Sequence, residues 1–169
     1  MTIFVYILIF IILFSAAWTA ISAAPWVPTR SRDVKRMIDL AKIKKGETVY
    51  DLGCGDGRLV FAADRVGANG RGVELFVLPY VFAKIKSLFY KNSKIIFGDL
   101  FRINLAEADV VFIFLLDKSY QKLIKKFEQE LKPGARVVVG CWPIAEWADK
   151  LIVKDKPSDR DLPIYVYKK

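Results

Sequence analysis

Histidine is absent from the 169-residue chain. Without imidazole there is no Ser–His or Cys–His nucleophile pair and no histidine metal ligand. Cysteine is scarce as well: Cys54 and Cys141 are the only two, with neither metal-ligand spacing nor enough partners for a disulfide framework. Two thiols without oxidative patterning suit a reducing compartment. Charge is missing from one stretch entirely, residues 1–29. All 27 Lys/Arg and all 18 Asp/Glu, and with them the formal charge of +9, lie in residues 30–169. So basic a region favours anionic surfaces. A membrane surface is the partner expected here, and nucleic acid is not expected. The length allows one domain of ordinary size with a short extension.

The uncharged stretch is also the most apolar. Residues 3–22 are hydrophobic apart from Tyr6, Ser15, Trp18, Thr19 and Ser22. Twenty helical residues rise about 30 Å, the thickness of a hydrocarbon core. Twelve of them are Ile, Leu, Phe or Val, worth together about −4 to −7 kcal/mol on an insertion scale. Residues 1–24 are therefore expected to be a transmembrane anchor, and 25–169 the folded domain. A cleaved secretory signal is the competing reading, with Ser22-Ala23-Ala24 as the small-residue site. Against it stand the absence of a positive n-region and Pro25 directly after the cut. Arg30, Arg32, Lys35 and Arg36 crowd the C-terminal flank instead, which places the domain on the cytoplasmic side. The link through residues 25–29 is short, so removal of residues 1–22 is expected to impair action on membrane targets while sparing soluble ones.

Beyond the prolines, Ser31 is expected to cap a helix carrying Val34, Met37, Ile38 and Ala41 on one side. Strands are expected at residues 48–50, 72–75, 94–97, 110–116, 136–139, 151–153 and 164–167. Helices are expected at 59–65, 79–90 and 119–131, with a turn at Gly67 and Gly70. The last two strands have no clear helix between them, as in a closing hairpin. Such alternation predicts an α/β fold: a mostly parallel seven-stranded sheet with helices on both faces.

The informative stretch is Val49-Tyr50-Asp51-Leu52-Gly53-Cys54-Gly55-Asp56-Gly57-Arg58. Glycines at alternate positions bring a ligand close to the backbone at a helix N-terminus, on the carboxyl edge of the sheet. A dinucleotide fingerprint would need its third glycine at position 58, where Arg58 stands, so an NAD-dependent reductase is disfavoured. Asp51 at the strand end calls for a ligand that is cationic there. S-adenosylmethionine, with its ammonium and sulfonium, meets that need. Glu74 ends the next strand, where a carboxylate can accept both ribose hydroxyls, and Asp99 ends the one after, within reach of an adenine amino group. Three acids ending three consecutive strands point to a cofactor site rather than to helix capping.

These residues resemble the class I S-adenosylmethionine-dependent methyltransferases over the whole domain. The resemblance implies a Rossmann-like sheet in the order 3-2-1-4-5-7-6. It implies that Asp51, Gly53 and Gly55 hold the methionine part of the cofactor, Glu74 the ribose, and Phe76 and Asp99 the adenine. Pro25-Trp26-Val27-Pro28-Thr29 resembles the P-[YFW]-V-P-T segment of a small protein-lysine methyltransferase family, which places Trp26 and Thr29 at the cofactor. That family includes a compact archaeal enzyme and mitochondrial enzymes acting on the adenine nucleotide translocase and on the ring protein of the ATP synthase. The stretches at 111–116, 131–138 and Cys141-Trp142-Pro143-Ile144-Ala145-Glu146-Trp147 resemble its later motifs. Asp117 departs from the archaeal pattern, which has a small hydroxyl residue there.

Membership implies N-methylation of lysine side chains in a protein substrate that is associated with membranes. Transfer to a small amphiphile, a quinone or a lipid, is the alternative. A non-catalytic module is opposed by the intact series of acids and glycines. An acceptor lysine must shed its proton, which costs about 4.6 kcal/mol at pH 7 against a reference pKa near 10.4. A dry aromatic channel lowers that cost. Phe114, Trp142 and Trp147 are candidates for its walls, and Asp117 or Tyr120 for orienting the amine. No residue is required as a general base.

Overall fold

The computed structural model describes residues 2–169, and of Ser22 the backbone only. Met1, the first residue of the expected anchor, and the Ser22 side chain of the expected cleavage site lie outside the described residues.

The chain opens with helix α1, Thr2–Ser22, and after the extended proline segment continues through α2, Ser31–Ala41. The elements β1 (Thr48–Leu52), α3 (Arg58–Arg65), β2 (Asn69–Glu74), α4 (Val77–Lys86) and β3 (Ser93–Phe97) then alternate. They are followed by β4 (Val110–Ile113), α5 (Tyr120–Glu130), β5 (Arg136–Gly140), β6 (Leu151–Asp155) and β7 (Ile164–Lys168). The seven strands form one sheet in the order β3-β2-β1-β4-β5-β7-β6. It is parallel except for β7, which runs antiparallel to β5 and β6. This is the strand order that the resemblance implied, and it reverses between β1 and β4, where doubly wound folds open a ligand crevice.

Side-chain alternation along the strands builds two cores. Val49, Val110, Phe112, Val138, Ile164 and Val166 face α2 and α3, meeting Val34, Met37, Leu59 and Ala63. Tyr50, Leu52, Val111, Ile113, Val137, Val139, Tyr165 and Tyr167 face the other way, onto Leu123 and Phe127 of α5. Strands buried on both faces read as continuous apolar runs, as β4 and β5 do.

The structure departs from the sequence reading in four places. Arg30 is the N-cap of α2 and Ser31 already its first helical residue, with no side-chain cap. Gly70 belongs to β2 rather than to a turn, because α3 crosses it closely: a Cβ there would lie 2.7 Å from Val60 Cγ1. Helix α4 begins two residues before Pro79, which a first turn tolerates, and gives way to a 3-10 turn at Ser87–Phe89. Finally, β4 stops at Ile113, paired with Leu52 at the end of β1. Residues 114–116 leave the sheet and pass over the crevice.

Candidate functional site

The crevice lies at the carboxyl ends of β1, β2, β3 and β4. Its lining includes Asp51, Gly53, Gly55, Glu74, Phe76 and Asp99, together with Trp26, Thr29 and Phe114. All eight residues expected at the cofactor are thus gathered in one cavity, although they come from separate stretches of chain.

Local chemistry explains the gathering. Glu74, 7% exposed, pulls the first two loops together. Its Oε2 accepts the Gly55 N–H at 2.7 Å, and its Oε1 accepts those of Leu75 and Phe76 at 2.9 and 2.7 Å. Burial raises its pKa and the three amides oppose that rise. Each carboxylate oxygen has two acceptor sites, so Oε2 keeps capacity for a ribose hydroxyl. The proline segment closes over the glycine loop. Gly55 has φ +54°, and a Cβ on it would stand 2.6 Å from Trp26 Nε1, so both backbone and packing require glycine there. Trp26 meets Phe76 edge to face, with ring centroids 6.2 Å apart. Arg58 donates to the Thr29 carbonyl and pairs with Asp56 at 2.6 Å. Asp99 Oδ1 accepts the Phe101 N–H at 2.9 Å, while its Oδ2 lies 3.6 Å from Arg102 Nε at the rim.

The charge balance selects the ligand. Four carboxylates line the cavity, Asp51, Asp56, Glu74 and Asp99, against the guanidinium of Arg58. Because Arg58 is turned to Asp56, Asp51 is left without a counter-charge. Burial above all, and then the charges of Glu74 and Asp56, push its pKa up to about 8. A cation delivered to Asp51 relieves that strain, and a pyrophosphate would worsen it. The residues present therefore fit a nucleoside with a cationic tail.

The acceptor candidates are less concentrated. Phe114 lines the cavity. Asp117 and Trp142, on the turns after β4 and β5, and Tyr120, the first residue of α5, lie outside its lining. Asp117 is exposed, and Tyr120 is 4% exposed with its hydroxyl 3.5 Å from the Leu115 carbonyl. Burial drives the Tyr120 pKa above its usual range, with charges on Cys141, Tyr167 and Asp117 adding to it. Trp142 is 46% exposed. Trp147 is not a channel wall. It is 1% exposed and packs between Phe127 and Tyr167 at 5.9 and 6.2 Å, in the core beneath α5.

Two features have no signal in the sequence. Cys141, at the end of β5, takes φ 79°, a left-handed conformation that costs a non-glycine residue about 1–3 kcal/mol and tends to mark functional turns. The second is the part played by α1. Thr19, Ala23 and Ala24 line the cavity, Ala23 is buried in the main core, and its carbonyl accepts the Ser119 hydroxyl at 3.0 Å. Lys118 Nζ donates to the Ile21 carbonyl at 2.9 Å, and the Val77 N–H reaches Ser15 Oγ at 3.4 Å. A cut after residue 22 therefore removes Thr19 from the cavity wall and the Ile21 carbonyl that Lys118 engages, along with the apolar helix.

Residues 51–150 match the ANTKMT methyltransferase domain family. A protein-lysine N-methyltransferase of Saccharolobus islandicus is 34% identical over 148 residues, covering 85% of this chain and 92% of that one. The adenine nucleotide translocase lysine N-methyltransferase of Mus musculus is 32% identical over 138 residues, or 76% of this chain, and the match spans only 58% of that enzyme's length. Among solved structures, an RNA methyltransferase from Salinibacter ruber in complex with S-adenosyl-L-homocysteine superposes with a TM-score of 0.76 at 33% identity, over 84% of this chain and 93% of that one.

Proposed function

The chain belongs to the ANTKMT methyltransferase-domain family and is an S-adenosylmethionine-dependent methyltransferase; from that premise we propose that it N-methylates lysine side chains of proteins, working from a membrane. The observation that carries the lysine reading is the 34% identity maintained over 92% of an archaeal protein-lysine N-methyltransferase. The cofactor supplies an electrophilic methyl group on a sulfonium; everything else falls to the chain. Asp51 would hold the cofactor's ammonium, the Gly53–Gly55 turn would admit its methionine part, Glu74 would accept the ribose hydroxyls, and Phe76 and Asp99 would hold the adenine. Trp26 and Thr29 would close the pocket from the proline segment. Phe114 lines the same cavity and would form a wall between it and the acceptor, which would enter from the side of the β4 and β5 turns. There Asp117 draws in a lysine, Trp142 shields it from water, and the neutral Tyr120 hydroxyl keeps the floor uncharged. As the ammonium leaves Asp117 for the drier surroundings of Phe114 and Trp142, desolvation lowers the cost of releasing its proton to solvent.

Residues 1–24 act as the anchor and 25–169 as the catalytic domain, on the cytoplasmic side. Supporting this, α1 has no charge, and Ile3, Phe4, Tyr6, Phe10, Leu13 and Phe14 stand more than half exposed. Supporting retention rather than cleavage, the Ala23 and Ala24 positions are built into the cavity wall. The test is incubation of the full chain with methyl-labelled cofactor and, separately, membranes, soluble extract and total RNA. Label should enter protease-sensitive gel bands, be richest in the membrane arm, and hydrolyse to methyl-lysine. Label that is RNase-sensitive, or that extracts into organic solvent, would replace the lysine reading with nucleic acid or a small amphiphile.

A further inference from the structure

Helix α4 wears its apolar stripe on the outside. Only Pro79 and Ala83 of the helix are buried. Leu78, Val81, Phe82 and Ile85, spaced as one helical face, are 38%, 42%, 58% and 57% exposed, and Leu88 and Phe89 just beyond reach 81% and 83%. A stripe with this spacing normally faces a core. Solvent-exposed apolar area on this scale marks a surface with a partner.

The partner is indicated by three observations. First, α1 packs beside α4: its stripe Ile12, Ser15, Ala16, Thr19, Ala20 and Ala23 is the shielded one, while residues 2–11 are exposed on every side. Those ten free residues rise about 15 Å, half of a hydrocarbon core of about 30 Å. Inserted to that depth, with its shielded half still packed on α4, α1 draws the α4 side of the domain down to the level of the lipid headgroups. Second, residues 75–98 contain Lys84, Lys86, Lys91 and Lys94 and no acidic residue. Lysines flanking an apolar stripe reach phosphates while their stems stay buried. Lys84 Nζ lies 3.5 Å from the Ile95 carbonyl and Lys86 Nζ 5.3 Å from the Phe61 ring, weak contacts that lipid phosphate can replace. Third, a second copy of this chain is a poor occupant. A two-fold contact would set the same lysines against each other, unpaired.

We propose that α4 and the 3-10 turn after it form a second membrane-seating surface, lying in the lipid interface beside α1 and contacting anionic headgroups. The proposal rests on the insertion of α1. Phe76 is both the N-cap of α4 and a wall of the cofactor cavity, so this seating holds the cavity mouth against the bilayer surface. Substrate lysines at that depth are then presented at high effective concentration.

The test places an environment-sensitive fluorophore at Phe89→Cys, Phe4→Cys or Asp159→Cys in the full chain carrying Cys141→Ser. Each is reconstituted in phosphatidylcholine vesicles with a minority of phosphatidylglycerol, and quenching by shallow and deep nitroxide lipids is compared. The label at 89 should be quenched best by shallow nitroxides and the label at 4 by deep ones. The label at 159, in the hairpin at the opposite sheet edge, should be quenched by neither. Lys84→Gln, Lys86→Gln and Lys91→Gln together should at least halve shallow quenching at 89 in the anionic vesicles. Quenching at 4 with a position-159 pattern at 89 overturns the second surface and leaves the anchor standing. Quenching at 89 without quenching at 4 removes the anchor and with it the seating beside α1. Quenching at neither removes both. A blue-shifted label at 89 that responds to a nitroxide on another copy of the protein but not to lipid assigns the face to self-association instead.

Discussion

If Asp51 holds the cofactor's ammonium as proposed, cofactor affinity should be a function of pH. Its carboxyl is 5% exposed, and burial with the charges of Glu74 and Asp56 sets its pKa at about 8. The form that attracts the cofactor's ammonium is the carboxylate. Apparent affinity falls with the fraction of competent protein, and that fraction is about one-tenth at pH 7 and about one-hundredth at pH 6 for a single group titrating at 8. The dissociation constant should therefore rise about tenfold from pH 7 to pH 6. Readings should stay below about pH 7.5, because an α-amino group loses its own charge near pH 8. S-adenosylhomocysteine keeps the ammonium and lacks the sulfonium, so an equal slope with that ligand assigns the effect to the ammonium. Binding near neutrality should release close to one proton, read by calorimetry in buffers of different ionisation enthalpy. In the ligand-free protein the same group acts on stability with the opposite trend. A carboxyl raised on folding contributes stability that is present at low pH and lost as pH rises through about 8, so Tm should fall between pH 5 and pH 8 and recover on adding cofactor. Asp51→Asn should bind weakly with no slope. Equal dissociation constants at pH 6 and pH 7, or a slope surviving in Asp51→Asn, would refute this reasoning.

Further outcomes follow from the same geometry. Glu74→Ala strips the acceptor from three amides and the ribose partner together, so cofactor affinity should drop about ten- to a hundredfold; unchanged calorimetric affinity would mean the ribose lies elsewhere. Gly55→Ala sets a Cβ 2.6 Å from Trp26 Nε1 at a positive φ. It should weaken cofactor binding and cost about 1–2 kcal/mol of folding stability, read as a lowered Tm, and wild-type affinity would show that Trp26 does not close the pocket. Trp147→Ala should cost about 3–5 kcal/mol in denaturant unfolding and leave cofactor affinity intact below the transition. A loss of turnover at unchanged stability would return Trp147 to the acceptor channel. Deleting residues 2–11 should spare turnover on a soluble peptide and reduce methylation of membrane targets, whereas deleting 2–22 should impair both. Equal effects of the two cuts would sever the α1 C-terminus from the active site.

Most of the sheet and the meeting of three strand-end acids in one cavity were legible in the sequence because both are written locally. Strands β4 and β5 are uninterrupted apolar runs closed by turn residues, and Asp51, Glu74 and Asp99 each sit where a strand ends. A residue at the end of a parallel strand must arrive at the carboxyl edge, whatever the rest of the chain does. The acceptor side was less legible. Asp117, Tyr120 and Trp142 have suitable chemistry and follow suitable strands, but a 3-10 turn at Asp117–Ser119 and a left-handed Cys141 decide how the chain runs there.

What the sequence determined by itself was the order of elements, the cationic character of the ligand and the apolar identity of residues 1–29. Each follows from periodicity, punctuation or charge within a few residues. Only the tertiary structure decided what the amphipathic faces meet. Trp147 reads by type equally well as channel wall or core, and packing between Phe127 and Tyr167 made it core. Arg58 is adjacent to the glycine loop, yet pairing with Asp56 and the Thr29 carbonyl is what leaves Asp51 uncompensated. Helix α1 has a small-residue stripe that spacing alone cannot direct, and contacts 62 to 97 positions away along the chain bring it onto α4 and the β4 turn. Periodicity specifies that a helix has a side; the partner of that side is set by side chains distant in sequence, through close packing that no local pattern encodes.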